Sequence, residues 1–341
     1  MFRSLKIIAT GVASLALSAA AVAQSTVSIY GLMDVSAGRF QNAGAQRVWR
    51  SDSGSMSTSY IGVKGSDDLG GGLRAKFAIE HFLRLDQGAV GRFDGDAFWA
   101  RSAYVGLQGA FGSSVIGRNT TPLFVSTVVF NAFGDSYGFS PAIRQLFTPA
   151  LLPFYGDSAW NNSLAYSSPT SNGLSLNLLA NLGEGAADAT GRNIGANLLY
   201  FNGPLAATVV YQKVKNGAVG TPPGYTGQNT FQLGASYDLT RVKLFGQFTQ
   251  VNTQAAAGSK TRIYGFGAAV PVGDLGRFML QLNSARASTP VETGETGETT
   301  FSLGYDHALS KNTDVYALYM SDRVTGLSRG TSLATGMRLR F

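Results

Sequence analysis

The stretch SLATGMRLRF, residues 332–341, alternates with a period of two along its whole length. Leu333 and Phe341 fall on one face, whereas Arg338 and Arg340 fall on the other. Such alternation is typical of a β-strand with one apolar side and one polar side. A soluble sheet and a membrane barrel both use this pattern, so the stretch alone leaves the fold class open.

The alternation recurs along the chain. It is found in GLRAKFAIE (72–80), GLSLNLLANL (173–182), TFQLGASYD (230–238) and TTFSLGYDH (299–307). Short turns such as 66–71 separate some of these segments, and longer polar connections such as 41–55 and 215–228 separate others. Counting the segments predicts about sixteen strands of roughly ten residues, enough to cross a bilayer at a tilt. We therefore predict an all-β, transmembrane antiparallel β-barrel, closed because open edges are not tolerated in lipid. The alternative is a soluble β-sandwich.

The composition agrees with a membrane barrel. Charged residues make up 14% of the chain, against about 25% in typical soluble domains. The formal net charge is +7 with no dense run of Lys or Arg, so no nucleic-acid partner is predicted. Cysteine is absent, and no segment after the first residues offers about 20 consecutive apolar residues.

The amino-terminal residues predict export. Arg3 and Lys6 precede an apolar run that ends in Ala21-Val22-Ala23, just before Gln24. This layout is typical of a secretory signal peptide with a small-residue cleavage site, and a membrane anchor is the alternative. The predicted organisation is a signal peptide at residues 1–23 and one barrel domain at residues 24–341.

One connection differs from the others. Between about residues 120 and 157 no clean strand is found, yet the segment is rich in Phe and Tyr. A structureless loop of this length is usually functional or disordered, and the apolar content argues against disorder. Folding into the barrel lumen would bury these side chains and narrow the channel. Packing on the rim or on a neighbouring subunit is the alternative.

Several stretches resemble the trimeric porins of Gram-negative outer membranes, particularly the β-proteobacterial general porins. The matching pieces are STVSIYGLMDVSAG (25–38), IGVKGSDDLGGGLRAKFAIE (61–80), RSAYVGLQGAFGSSVIGRN (101–119), NNSLAYSSP (161–169) and the terminal Phe341. The resemblance implies a homotrimer of sixteen-stranded barrels whose long third extracellular loop folds inward as the constriction. It also implies contact with outer-membrane lipid and lipopolysaccharide, and recognition of the strand ending at Phe341 by the barrel-assembly machinery.

The resemblance also implies a set of charged pore residues. In such porins basic side chains climb one wall and acids on the inward loop face them, which orients permeating solutes and sets ion preference. Arg101 matches a basic wall position, and Tyr60 stands where the family commonly has Arg. The predicted pore-lining residues are Asp34, Arg74, Lys76, Glu80, Arg101, Asp135, Arg144 and Asp157.

The predicted function is passive diffusion of small hydrophilic solutes and ions through a water-filled channel. The many loop aromatics leave open a narrower, substrate-specific channel for organic or aromatic solutes, and a pore-less structural or adhesive barrel is a third reading. Only His81 and His307 are available as catalytic bases, and no metal-site spacing is found, so neither an enzyme nor a cofactor is predicted.

Overall fold

The computed structural model describes residues 26–182, 192–215, 220–290 and 294–341, so the predicted signal peptide lies outside the described residues. The strands are β1 Thr26–Phe40, β2 Val48–Ser53, β3 Tyr60–Gly70, β4 Leu73–Arg84, β5 Ala89–Val90, β6 Ser102–Gly109, β7 Gly112–Thr120, β8 Ala159–Ser167, β9 Leu174–Asn181, β10 Ile194–Asn202, β11 Leu205–Val214, β12 Gly227–Asp238, β13 Lys243–Gln254, β14 Ser259–Val272, β15 Gly276–Ser288, β16 Thr296–Ala308, β17 Thr313–Val324 and β18 Gly330–Arg340. Two short helices, α1 Pro122–Val129 and α2 Pro141–Phe147, lie between β7 and β8. Neither helix, nor any other in the described ranges, is long and apolar enough to span a bilayer.

Sixteen strands of the described chain close into an antiparallel barrel. Every strand except β2 and β5 takes part, and β18 completes the ring by pairing with β1, where Asp34 lies opposite Arg338. The first half of β1 pairs with β3, whereas its second half pairs with β2. Closure gives every barrel strand two partners, so no edge is left with unpaired backbone groups. The predicted fold class is confirmed.

The two faces of each strand differ as the alternation predicts. On β15, Phe278, Leu280 and Leu282 are exposed on the outer surface, whereas Gln281 and Asn283 are buried inside. An apolar outer face and a polar inner face characterise barrels that stand in lipid. The final strand follows the same rule, because Leu333 and Met337 are exposed while Arg338 is buried.

The two ends of the barrel are unequal. At one end the strands are joined by short turns, such as the one at Gly70–Gly72, where all three glycines have positive φ. At the other end most connections are longer, and the segment between β7 and β8 is the longest of those described. Strand β1 begins and β18 finishes at the short-turn end, where the backbones of Phe341 and Gly31 are hydrogen-bonded. In outer-membrane barrels the short turns face the periplasm and the long loops face outward.

Candidate functional site: the channel interior

The segment 121–158 enters the barrel and carries both helices; we call it the inward segment. Thr121 and Ser140 cap α1 and α2, since their side-chain oxygens accept hydrogen bonds from Phe124 N and Ile143 N. A proline follows each capping residue, as expected for the first helical position. The alternation pattern missed these helices because each covers about two turns, but the Thr-Pro and Ser-Pro pairs mark where they begin.

Polar side chains of the inner wall hold the inward segment. Gln232 Nε2 donates to Thr127 Oγ1 at 2.9 Å, and Gln281 Oε1 accepts from the backbone N–H of Ala132 at 2.8 Å. Similar bonds join Asn197 to Ser126, Gln247 to the Thr127 carbonyl, and Gln145 to Thr300. Because buried polar groups are costly when unpaired, these contacts fix the segment against β10–β16.

Two phenylalanines of the inward segment fill niches above glycines of the wall. A Cβ placed on Gly234 would lie 3.0 Å from Phe130, and one placed on Gly304 would lie 2.9 Å from Phe133. Both rings are almost completely buried. The glycines therefore let the segment approach the wall closely, and the space left in the barrel lies on the segment's other side.

Phe133→Ala tests this packing. Removing a buried phenyl ring costs about 3–5 kcal/mol of packing, and here the loss falls on the tip of the inward segment. We expect a barrel that still folds but shows larger and noisier single-channel currents in a planar bilayer. Phe266→Ala, on the exposed outer face, is the matched control; equal currents in both variants and the unmodified protein would contradict the packing role.

Across the remaining space stands a cluster around Arg101. Its Nη1 lies 2.5 Å from Glu80 Oε2, and its guanidinium lies 3.8 Å from the centre of the Tyr60 ring. Tyr30 donates from its hydroxyl to Glu80 Oε1 at 2.6 Å. Arginine stacks favourably on aromatic faces, so the Tyr60 ring helps to position the Arg101 guanidinium. The carboxylate of Glu80 is thus fully occupied.

Two spaces lie on either side of the tip of the inward segment. One, of about 260 Å³, lies toward the long loops and is lined by Arg101, Phe124 and Tyr137 among others. The other, of about 390 Å³, lies toward the short turns and is lined among others by Lys243, Arg277 and Arg338. Val129 and Asp135 line both spaces. A solute that crosses the barrel between these spaces passes this pair.

The structure brings three of the predicted residues together: Arg101 lines a space with Asp135 and is paired with Glu80. Arg74 and Lys76 lie further toward the short-turn end of β4, on the same inward face as Glu80.

The prediction that Asp34 lines the pore is wrong. Asp34 points inward but is completely covered, because its carboxylate accepts hydrogen bonds from the backbone of Met56 and Ser57 and from the Tyr316 hydroxyl. It therefore ties the connection after β2 to the wall and presents no surface to the channel.

Arg144 and Asp157 lie nearer the long loops and are engaged there. Arg144 donates to Asn42 Oδ1 at 3.1 Å, and Asp157 contacts Arg92 at 3.1 Å and Arg118 at 3.3 Å. These pairs join the inward segment to neighbouring loops and to β7, and they place no free charge at its tip.

Arg92 also pairs with Asp96, four residues later in the connection between β4 and β6. Burial by itself raises the pKa of Asp96, but the hydrogen bonds and charge of Arg92 outweigh it and leave the pKa below its usual value. Arg92 therefore links this connection to the inward segment through its contacts with Asp96 and Asp157.

Several charged residues inside the barrel are not among the predicted pore-lining residues. Lys243, Arg277 and Arg338 line the space of about 390 Å³ toward the short turns, and Arg340 lies on the inward face of β18. Strand alternation alone already places Arg338 and Arg340 on the inner face of the barrel, as the structure shows.

Neither histidine faces the channel. His81 lies on the outward face of β4, where its ring stacks on the ring of Phe98. The Nδ1 atom of His81 also contacts the backbone carbonyl of Phe98. His307 is 3.2 Å from the Tyr305 hydroxyl on the outer face of β16.

The comparisons with known proteins agree with this architecture. A family model described as Gram-negative porin matches residues 9–327. The chain belongs to the Gram-negative porin family. Outer membrane porin protein 32 of Delftia acidovorans is 31% identical over 325 residues, covering 89% of this chain and 86% of that protein. An outer membrane porin protein of Bordetella pertussis is 26% identical, with 94% of this chain and 96% of that protein covered.

Solved structures give the same result. The anion-selective porin from Comamonas acidovorans superposes with a TM-score of 0.74 and 25% identity over 93% of this chain and all of that one. A loop-deletion mutant of OmpT from Vibrio cholerae has a TM-score of 0.73 at 14% identity, covers 93% of this chain and 99% of that one, and shows the shared fold alone. The porin described here is thus an outer-membrane channel for passive diffusion of solutes.

Proposed function

We propose that this porin is a general-diffusion channel with a preference for anions, set by basic side chains that stay exposed in the lumen. The Comamonas acidovorans protein, 25% identical, is described as anion-selective. That likeness supports the proposal, and the way in which the charged side chains of this chain are exposed supports it more strongly.

The observation that carries the proposal is an unequal exposure within three ion pairs of the inner wall. In the pair of Arg101 with Glu80, the arginine side chain is 32% exposed and the carboxylate side chain 9%. In the pair of Arg277 with Asp306, the side chains are 47% and 12% exposed, and in the pair of Arg340 with Asp314 they are 41% and 7% exposed. The acids are turned into the wall while the guanidinium groups reach solvent. A permeating ion therefore meets mainly positive charge, and charges that line a pore determine which ions it prefers.

The aromatic residues favour a general channel over a narrow one for aromatic solutes. Phe124, Phe147 and Phe154 pack edge to face in a chain, with ring centres 5.1 and 5.2 Å apart. Phe124 also packs on Tyr137. Rings that are engaged with each other stabilise the inward segment and leave little free stacking surface, so we propose no stacking site for solutes.

Influx into proteoliposomes tests the proposal. Gluconate, glucose and glucosamine have similar size but carry negative, zero and positive charge. With equal salt on both sides to balance charge, we expect gluconate to enter fastest and glucosamine slowest. Equal rates for all three, or the reverse order, would overturn the anion preference; negligible entry of all three would overturn the open channel.

We further propose a homotrimer without catalytic activity. The family resemblance supports the trimer, and so does the connection between β4 and β6. Phe98 and Trp99 of that connection are partly exposed and lie over the outward face of β4 at His81, where a neighbouring barrel could contact them. Contact of the outer face with lipid and lipopolysaccharide, and recognition of the Phe341 strand by the barrel-assembly machinery, belong to the same proposal.

A further inference from the structure

A group of basic residues stands on the outside of the barrel, away from the channel. Arg262 on β14, Arg286 on β15 and Arg323 on β17 are all exposed and have the outward parity of their strands. Lys260 precedes Arg262 on the same face, and Arg329 follows in the connection to β18. We call these five residues the outer basic patch.

The patch lies just beyond the apolar band, toward the long loops. On β14, exposed Tyr264 is the next outward residue after Arg262. On the other strands, Leu282 and Tyr319 are the outward residues four positions before Arg286 and Arg323. Aromatic residues mark the interface levels of such barrels, and the long loops mark the external side. The patch therefore lies at the level of the headgroups of the outer leaflet.

The described part of the chain balances little of this charge. Arg262 lies directly opposite Arg286 across the β14–β15 ladder, and like charges directly opposite each other are destabilising. Among the described residues, Glu295 is the acid paired with the patch, at 4.0 Å from Arg286. Positive charges placed side by side at a lipid headgroup level indicate an anionic partner outside the chain.

A groove lies between the arginines of the outer basic patch. It has a volume of about 470 Å³ and is lined among others by Arg286, Arg323 and Arg329. Gly297 lies opposite Arg286, and Thr299 lies opposite Arg323, so β16 forms the floor between the two arginines. The absence of a side chain at Gly297 leaves the floor open, and the hydroxyl group of Thr299 adds a hydrogen-bonding atom. The Thr325 hydroxyl is bonded to the backbone of Gly297 and holds this edge of the groove in place.

We propose that this groove binds the phosphate groups of a lipopolysaccharide molecule in the outer leaflet. Arginine binds phosphate oxygens bidentately, and several arginines around one groove can hold a phosphorylated headgroup. The acyl chains would then run down the apolar face formed by Leu282, Phe301 and Leu303. The proposal rests on the outer-membrane position of the barrel and gives a place to the lipopolysaccharide contact proposed above; it is independent of the ion preference.

The test uses the purified full-length porin in detergent, with binding measured to bisphosphorylated lipid A, to dephosphorylated lipid A and to inorganic phosphate. A basic residue near an anionic membrane surface contributes about 1 kcal/mol, roughly fivefold in affinity. We therefore expect Arg286→Gln/Arg323→Gln to bind bisphosphorylated lipid A about 25-fold more weakly. Gly297→Glu, which puts a carboxylate on the groove floor, should weaken binding as well, and a Cβ there has room because its nearest contact is 3.5 Å away.

Lys213→Gln is the matched control, since Lys213 is an outward basic residue on the distant β11. It should bind as the unmodified protein does, and all variants should keep the conductance and ion preference of the channel. Unchanged binding in the double variant, or equal binding of dephosphorylated lipid A, would overturn the proposal. Saturation by inorganic phosphate with no preference for the lipid would assign the groove to a free anion instead and overturn the lipid assignment.

Discussion

Replacing Arg101 by glutamate is expected to convert the anion preference of this porin into a cation preference. The change removes the exposed cation beside Tyr60 and places a second carboxylate next to Glu80, which now lies 2.5 Å from the Arg101 guanidinium. One unit charge at about 4 Å is worth about 1 kcal/mol even at the dielectric constant of water. Two charge units, acting in opposite senses on anions and cations, should therefore change the permeability ratio by about tenfold or more.

The measurement is the reversal potential of a planar bilayer under a salt gradient, and we expect its sign to invert. Arg101→Gln should give a smaller change in the same direction, because it removes one charge unit rather than two. Lys311→Glu, in the short turn between β16 and β17, reverses the same charge away from the inward segment and should have little effect. If Arg101→Glu and Lys311→Glu gave the same reversal potential, Arg101 would have no role in ion preference.

Replacing Arg338 by methionine is expected to cause a large loss of stability. The Arg338 side chain is 8% exposed and lies 2.7 Å from Asp314 and 3.0 Å from Asp306. It also donates to Ser57 at 3.1 Å. Removing Arg338 leaves Asp306 and Asp314 only their more exposed partners, Arg277 and Arg340. Losing one partner of a buried ion pair costs about 3–5 kcal/mol, and because these two contacts remain we expect a loss of about 3 kcal/mol. The free energy of unfolding, measured by denaturant titration of the barrel in lipid vesicles, should fall by this amount.

Arg340→Gln provides the comparison, because Arg340 contacts the same Asp314 at 2.6 Å but its side chain is 41% exposed. Pairs that reach solvent contribute little, so a loss below about 1 kcal/mol is expected. Combining Arg338→Met with Asp306→Asn and Asp314→Asn should recover part of the loss, since neither buried side chain then carries a charge that has lost its contact with Arg338. Equal losses for Arg338→Met and Arg340→Gln would show that burial of the charge is not the cause.

The fold could be predicted from the sequence because a barrel in lipid imposes a two-residue period on every strand. The face of Arg338 and the turn at Gly70–Gly72 both follow from local pattern and glycine chemistry. The two extra strands β2 and β5 could not be predicted. The first half of β1 pairs with β3, and β2 pairs with the second half of β1 that extends beyond it. Such pairing depends on the register of the closed barrel and leaves no local signal.

The channel interior was less predictable than the wall. Alternation can place a charge inside the barrel, but it cannot tell whether that charge meets solvent. Asp34 and Arg101 illustrate the difference: Asp34 is covered by hydrogen bonds from a connection more than twenty residues away in sequence, whereas Arg101 stays open beside Tyr60. Exposure inside a barrel is decided by where the inward segment packs, and that packing depends on niches at Gly234 and Gly304 far along the chain.

Single-channel recording of the unmodified protein in a planar bilayer under a potassium chloride gradient tests whether it forms an open trimeric channel whose exposed arginines favour anions. We predict large current steps that close in groups of three and a reversal potential of the sign given by chloride permeation. Very small currents would contradict the open channel, steps that never group in threes would contradict the trimer, and a reversal potential of the opposite sign would contradict the proposed role of the arginines.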